Sequence, residues 1–184
     1  MKSLLGALGA FVILLTAGCH RPPAEAPVQT PSARAVVVEF FSSYRGDYRQ
    51  ADGRFLSAAL AAALQSAAEG EKESAALVKA SEFPNDKPLI LEGEIFAGLY
   101  EGFTSHEVVG EQIADGQASV QIRFSNKHYN VDWTDEVVLV EENGWKIDDI
   151  RYTQKKAGLL GLREVLQEFE GALAAEAAKA AKSS

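Results

Sequence analysis

Gln117-Ala118-Ser119-Val120-Gln121-Ile122-Arg123-Phe124-Ser125 alternates between apolar and polar side chains at every step. Successive side chains of a strand point to opposite faces. Ala118, Val120, Ile122 and Phe124 therefore share one face, and Ser119, Gln121, Arg123 and Ser125 share the other. The stretch reads as a strand with one face on a core and one toward water. Asp115-Gly116 stands just before it and is a tight-hairpin pair. That makes Thr104–Ala114 the strand entering the same hairpin. Downstream, Asn126-Lys127 turns the chain. Val131–Glu141 follows and is apolar on both faces from Val137 to Val140, which predicts a central strand. Asn143-Gly144 is a second hairpin signal, and it leads into Trp145–Tyr152 as a fourth strand. The four make an antiparallel meander.

Helices flank the meander. Ser32 is placed to cap a first helix. Its apolar residues Val37, Phe40, Phe41, Tyr44 and Tyr48 fall on one face of a 3.6-residue repeat. Gly46 weakens its end, and Gly53 stops it at the latest. Ser57 caps a second helical stretch that runs to about Ala80. Leu60, Leu64, Ala67, Ala68, Ala75 and Leu77 give it a thin apolar face, suited to lying close against a sheet. Gly70 is predicted to bend or break it. Residues 82–103 are punctuated by Pro84, Pro88, Gly93, Gly98 and Gly102 and read as irregular. Their wealth of apolar side chains predicts a loop folded back onto the core. After Lys156 a last helix presents Leu160, Val165, Leu166, Phe169 and Leu173 on one side. Helices segregated from an antiparallel sheet define an α+β fold. The domain spans 33–170. Residues 171–184 form an Ala-rich helical tail whose last turns are predicted to fray.

Several short stretches come in a familiar order. An aromatic-rich first helix is followed by Gly53-Arg54-Phe55-Leu56-Ser57, then Leu91-Glu92-Gly93-Glu94-Ile95-Phe96, then Gly144-Trp145-Lys146-Ile147-Asp148-Asp149-Ile150. Over Ala33–Leu166 this resembles the bacterial domain-of-unknown-function family 3828. The resemblance implies a cystatin-like, nuclear transport factor 2-like cone, a curved sheet wrapped on helices that often encloses a pocket. The family often has Asp-Pro-Phe where this chain has Glu94-Ile95-Phe96. It brings no catalytic residues with it.

If a pocket is present, His106, Asp149, Trp133 and Tyr100 are the residues placed to line it. A general base needs a cleft and hydrogen-bond reach to its substrate. The titratable candidates are His106, His128, Asp132, Asp135, Asp148 and Asp149. Strand periodicity puts Asp148 and Asp149 on opposite faces, so at most one looks inward. His128 belongs to a turn. No dyad or triad spacing appears, and structural roles are favoured over catalysis. Asn130, Asp132, Thr134 and Glu141 imitate a calcium loop, but Asp135 stands where its turn needs glycine. His20, His106 and His128 share no ligand spacing, so no metal and no cofactor is expected. Gly93, Gly98 and Gly102 lack the Gly-Lys-Ser/Thr of a phosphate loop.

The front of the chain addresses it. Lys2, an apolar run from Leu4 to Leu15 and the small residues Ala17-Gly18 before Cys19 read as a secretory signal over residues 1–18. The run is too short to span a bilayer, which takes about 20 residues. Ala17-Gly18-Cys19 resembles a bacterial lipobox, with Thr16 where leucine is more usual. That likeness implies lipidation at Cys19, cleavage before it and acylation of the new amine. Several acyl chains on one residue hold a protein stably on a membrane, at about 0.8 kcal/mol per buried CH₂. His20 is not the aspartate that retains enteric lipoproteins at the inner membrane, so the outer membrane is favoured, with the domain facing the periplasm. Four of the chain's 6 prolines fall in residues 20–32, predicted to be an extended tether of about 3.1 Å per residue.

The whole chain carries a formal charge of −8 and no basic stripe, which excludes nucleic acid as a partner. With its one cysteine lipidated, the domain folds without disulfides. At 47% hydrophobic it has the apolar material to do so. The reading is a membrane-anchored envelope lipoprotein that binds a protein partner or a small ligand. The alternative is a small cone-fold enzyme, isomerase- or dehydratase-like, using Asp149 or His106.

Overall fold

The computed structural model describes residues 30–156 and 159–183. The signal sequence, Cys19, His20 and all but the end of the tether lie outside the described residues.

The architecture is α+β. Helix α1 (Ala33–Ser43) comes first, then two single 3₁₀ turns at Tyr48–Gln50 and Gly53–Phe55, then α2 (Ala58–Ala80). The sheet follows as β1 (Ser105–Ala114), β2 (Gln117–Asn126), β3 (Val131–Glu141) and β4 (Trp145–Lys156). A three-residue strand β5 (Leu159–Gly161) and α3 (Leu162–Ser183) complete the fold. The strands lie in sequence order, each antiparallel to the next. Asp115 and Asn143 both adopt positive φ, as the two hairpin signals require.

The predicted caps are present. Ser32 Oγ accepts from Ala35 N at 3.2 Å, and Ser57 Oγ accepts from Leu60 N at 2.9 Å. Tyr48 lies beyond α1, in a 3₁₀ turn, because the helix ends at Ser43; its ring is nonetheless buried with the helix's aromatic face. Leu160 belongs to β5 and not to the last helix. That strand was missed because three residues are too few to show a period.

Gly70 does not break α2, which is continuous over 23 residues. The side chain of Leu173 on α3 occupies the space above it, and a Cβ at residue 70 would stand 2.2 Å from Leu173 Cδ1. The glycine is a close-packing position between two helices. Accordingly α2 packs chiefly on α3 and only lightly on the sheet, at β4.

The core lies between the helices and one face of the sheet. Phe96, Phe40, Phe41, Phe124 and Trp133 form a chain of rings there, with successive centroids about 5 Å apart, and Phe103 packs on Phe124 beside it. The segment 82–103 has no strand or helix, and it packs Ile95, Phe96 and Ala97 fully into the core.

Candidate functional site

A segment without regular structure must find partners for its backbone amides elsewhere once it is buried. Here they are carboxylates and a hydroxyl. Leu89 N donates to Ser74 Oγ, and Leu91 N donates to Glu71 Oε1, both at 2.8 Å. Phe96 N donates to Glu94 Oε1 at 2.7 Å, and Gly98 N donates to Asp135 Oδ2 at 2.7 Å. Tyr152 reinforces this by donating its hydroxyl to Ile95 O at 2.6 Å. Asp135 has no solvent exposure and also accepts from Trp133 Nε1 at 2.8 Å and Thr153 N at 3.0 Å. Glu71 accepts as well from the Tyr48 hydroxyl and from Arg49 Nε and Nη2. Glu94 accepts from the Tyr44 hydroxyl at 3.0 Å. Burial, with Glu94 beside it, pushes the Tyr44 phenol well above its ordinary range.

The opposite end of the domain is organised by helix N-termini, whose orphan amides and dipoles favour negative charge. Glu111 on β1 accepts from Arg34 N in α1 at 2.9 Å. Glu142 accepts from Ala58 N in α2 at 2.9 Å. Asp149 accepts from Arg163 N in α3 at 3.0 Å. Glu111, Val120, Val137 and Ile150 form one row across the sheet, so α1 and α3 start at neighbouring levels, and α2 starts further toward the β3–β4 turn. The chain also enters there, with Thr30 against Gly144 in the β3–β4 turn.

The residues singled out from sequence do not converge. Trp133 is buried in the ring cluster. His106 stands beside Phe41 and Phe103, with ring centroids 5.9 Å away, and burial pushes its pKa down. Asp149 borders an open cleft with Arg151, Tyr152, Gly161 and Glu164, and burial raises its carboxyl above the ordinary range. Asp148 is not on the face opposite Asp149. A β-bulge leaves Asp148 unpaired between Ile147 and Asp149, and both aspartates meet Arg163. Asp132 is exposed, and His128 lies in the β2–β3 turn, its amide donating to Asn126 Oδ1 at 3.0 Å. Among the described residues no three His, Cys, Asp or Glu side chains gather as a metal set.

Of these residues Tyr100 alone lines a large open groove of about 580 Å³. One wall is the turn after α1, with Arg45, Asp47 and Arg49. The other is the irregular segment, with Tyr100, Glu101 and Phe103. The Arg45 guanidinium is fixed on its own wall by the carbonyls of Ser42 and Tyr44, at 2.8 and 2.9 Å. Arg49 is fixed by Glu71 and Asp47. Tyr100 rests on Gly93: a Cβ at residue 93 would stand 2.5 Å from Tyr100 Cδ2. The ring is nevertheless 50% exposed. Sequence reasoning missed the two arginines, because neither stands in a motif. It also missed Glu71 and named Asp135 only among the titratable candidates, although each is a polar residue in phase with buried apolar neighbours: Leu64, Ala67, Glu71 on α2, and Trp133, Asp135, Val137 on β3.

No family model matches the chain, and no curated protein or solved structure is detectably similar to it. The resemblance to family 3828 is one of motif order alone.

Proposed function

We propose that this chain is a lipid-anchored protein of the bacterial cell envelope whose domain binds a partner or ligand without transforming it. The observation that carries the non-catalytic half is the engagement of the interior carboxylates. Glu71, Glu94 and Asp135 each hold backbone amides of the 82–103 segment, so a proton transfer at any of them would loosen the fold. Asp149 favours the enzyme reading only by its raised pKa and the cleft beside it; its Oδ1 is occupied by the amides of Ile150 and Arg163. The anchoring half rests on the lipobox-like Ala17-Gly18-Cys19 and the proline-rich stretch behind it. Among the described residues no helix is long and apolar enough to cross a membrane, and several acyl chains on Cys19 would suffice to hold the protein there.

The test is fractionation and capture with the full chain. Wild-type protein should partition with the outer-membrane fraction and enter a detergent phase. Cys19→Ala should appear in the soluble periplasm or stay unprocessed at the inner membrane. Fractionation of Cys19→Ala like wild type rules out the anchor. Affinity capture from native membranes should recover an envelope component in stoichiometric amount, and an empty capture together with turnover of a small substrate rules out the binding role.

A further inference from the structure

We infer that the groove between the turn at 45–49 and the segment 91–103 binds a glycan: a neutral, hydroxyl-rich chain, laid against Tyr100. The inference rests on the binding role and names the chemistry of its ligand.

Four features of the groove select that chemistry. The size comes first. At about 580 Å³ it falls within the range of ligand clefts, about 300–1,000 Å³, yet it is open along its length, as a segment of a longer chain needs. The charge comes second. Two guanidinium groups, Arg45 and Arg49, and three carboxylates, Asp47, Glu94 and Glu101, line it, with Asp47 paired to Arg49 and Glu94 engaged by Tyr44 and Phe96. Both signs are present and acid is in slight excess, which disfavours phosphorylated ligands and offers hydroxyls both donors and acceptors. The rigidity of the polar groups comes third. Arg45 and Arg49 are held by carbonyls and carboxylates of their own wall, so little side-chain entropy is lost when a ligand arrives. The aromatic platform comes last. Gly93 leaves the space in which the Tyr100 ring lies, and the backbone closes the turn beneath it, Glu94 N donating to Tyr100 O at 2.9 Å. A half-exposed ring in a fixed position offers an apolar face to the C–H face of a sugar, with polar groups at hand for its hydroxyls. An acyl chain would strip water from the charges of Arg45, Asp47 and Glu101 without replacing it.

The location agrees. The chain enters the domain at the end where the helices start, by Thr30 and Gly144, whereas the groove forms at the end where α1 stops. A protein held at that first end presents the groove away from its anchor.

The experiment uses the full chain in a detergent without a sugar headgroup. Chitotetraose and cellotetraose are titrated by calorimetry, and hydrogen–deuterium exchange maps the contact. The inference expects saturable binding of at least one tetrasaccharide, with protection at 44–49 and 91–103. Tyr100→Ala should weaken it by about tenfold or more, and Tyr100→Phe should bind within about threefold of wild type, because the ring is what the sugar meets. Should Tyr100→Ala fail to fold, Arg45→Ala, on the opposite wall, should weaken binding several-fold. No saturable binding of either sugar, protection elsewhere, or an unaffected Tyr100→Ala or Arg45→Ala overturns the inference. A captured protein that protects these same residues while both sugars fail leaves the binding role standing and removes the glycan.

Discussion

Asp148 and Asp149 are consecutive on β4, yet their carboxylates serve the N-termini of two different helices. Asp148 Oδ1 accepts the Ser57 hydroxyl at 2.5 Å, orienting the cap of α2, and Asp149 Oδ1 accepts Arg163 N at 3.0 Å, in the first turn of α3. Regular strand geometry would send the two side chains to opposite faces. The bulge opposite Val138 and Leu139 turns them together, and Arg163 spans both by donating Nε to Asp148 O at 2.8 Å. The Gly-Trp-Lys-Ile-Asp-Asp-Ile strand thus carries a junction between sheet and helices, and the first predictions test it.

Ser57→Ala should destabilise the domain by about 1–2 kcal/mol, the usual loss for an N-cap hydroxyl. The residue has no solvent exposure, so water cannot take the hydroxyl's place. Urea unfolding followed by tryptophan fluorescence measures this. A change below about 0.5 kcal/mol with an unchanged m-value would show that Asp148 and Arg163 hold α2 without the cap.

Asp149→Asn should change stability in a pH-dependent way. Burial raises the folded-state pKa above the unfolded value, against the pull of the Arg163 and Ile150 amides. A raised carboxyl binds its proton more tightly when folded. Its favourable contribution is therefore complete below the unfolded pKa and is lost as pH rises through the folded one. At pH 7 the wild type carries the buried charge and the asparagine variant does not. Thermal melts should show the variant more stable at pH 7, with the difference shrinking as pH falls toward 4. A gain that persists unchanged at pH 4 would place its cause outside this titration.

Asp135→Ala should be the most damaging single change at the sheet. It leaves the buried donor Trp133 Nε1 and the half-buried donors Gly98 N and Thr153 N without an acceptor. An unsatisfied buried group costs about 1–3 kcal/mol and a half-buried one less, so a loss of about 2–4 kcal/mol is expected. The 91–103 segment should exchange its amides faster than the strands do. A variant that keeps wild-type exchange at Gly98 would mean that a water replaces the carboxylate.

What the sequence conceals here follows from where the partners lie. The alternation of Gln117–Ser125 and the turns at Asp115-Gly116 and Asn143-Gly144 are local, and local patterns are readable one residue at a time. The bulge at Asp148 has no such signature, since one unpaired residue inverts the face of all that precede it. Nor does sequence pair Asp135 with Gly98, 37 positions away, or Glu71 with Leu91. What it does show is an acidic side chain in phase with core residues, which signals a buried partner without naming it. The groove is harder still. Arg45 and Tyr100 meet across a gap that exists only because three buried carboxylates fold the intervening segment back.

Gly70 gives the last test, because two opposing terms are separable there. Alanine in place of an interior helical glycine contributes about 1 kcal/mol through propensity. The added Cβ would stand 2.2 Å from Leu173 Cδ1, and overpacking of that kind costs about 1–3 kcal/mol. The contacting atom is the tip of a flexible side chain, so part of the strain relaxes. Gly70→Ala alone should therefore be neutral to mildly destabilising, within about 1 kcal/mol of wild type. In a Leu173→Ala background the clash is gone and only propensity remains, so the same substitution should stabilise by about 1 kcal/mol. The coupling between the two positions is then favourable to the double variant and readable from a double-mutant cycle. If Gly70→Ala stabilises equally in both backgrounds, α2 and α3 are not in close contact at this point, and the glycine is no packing device.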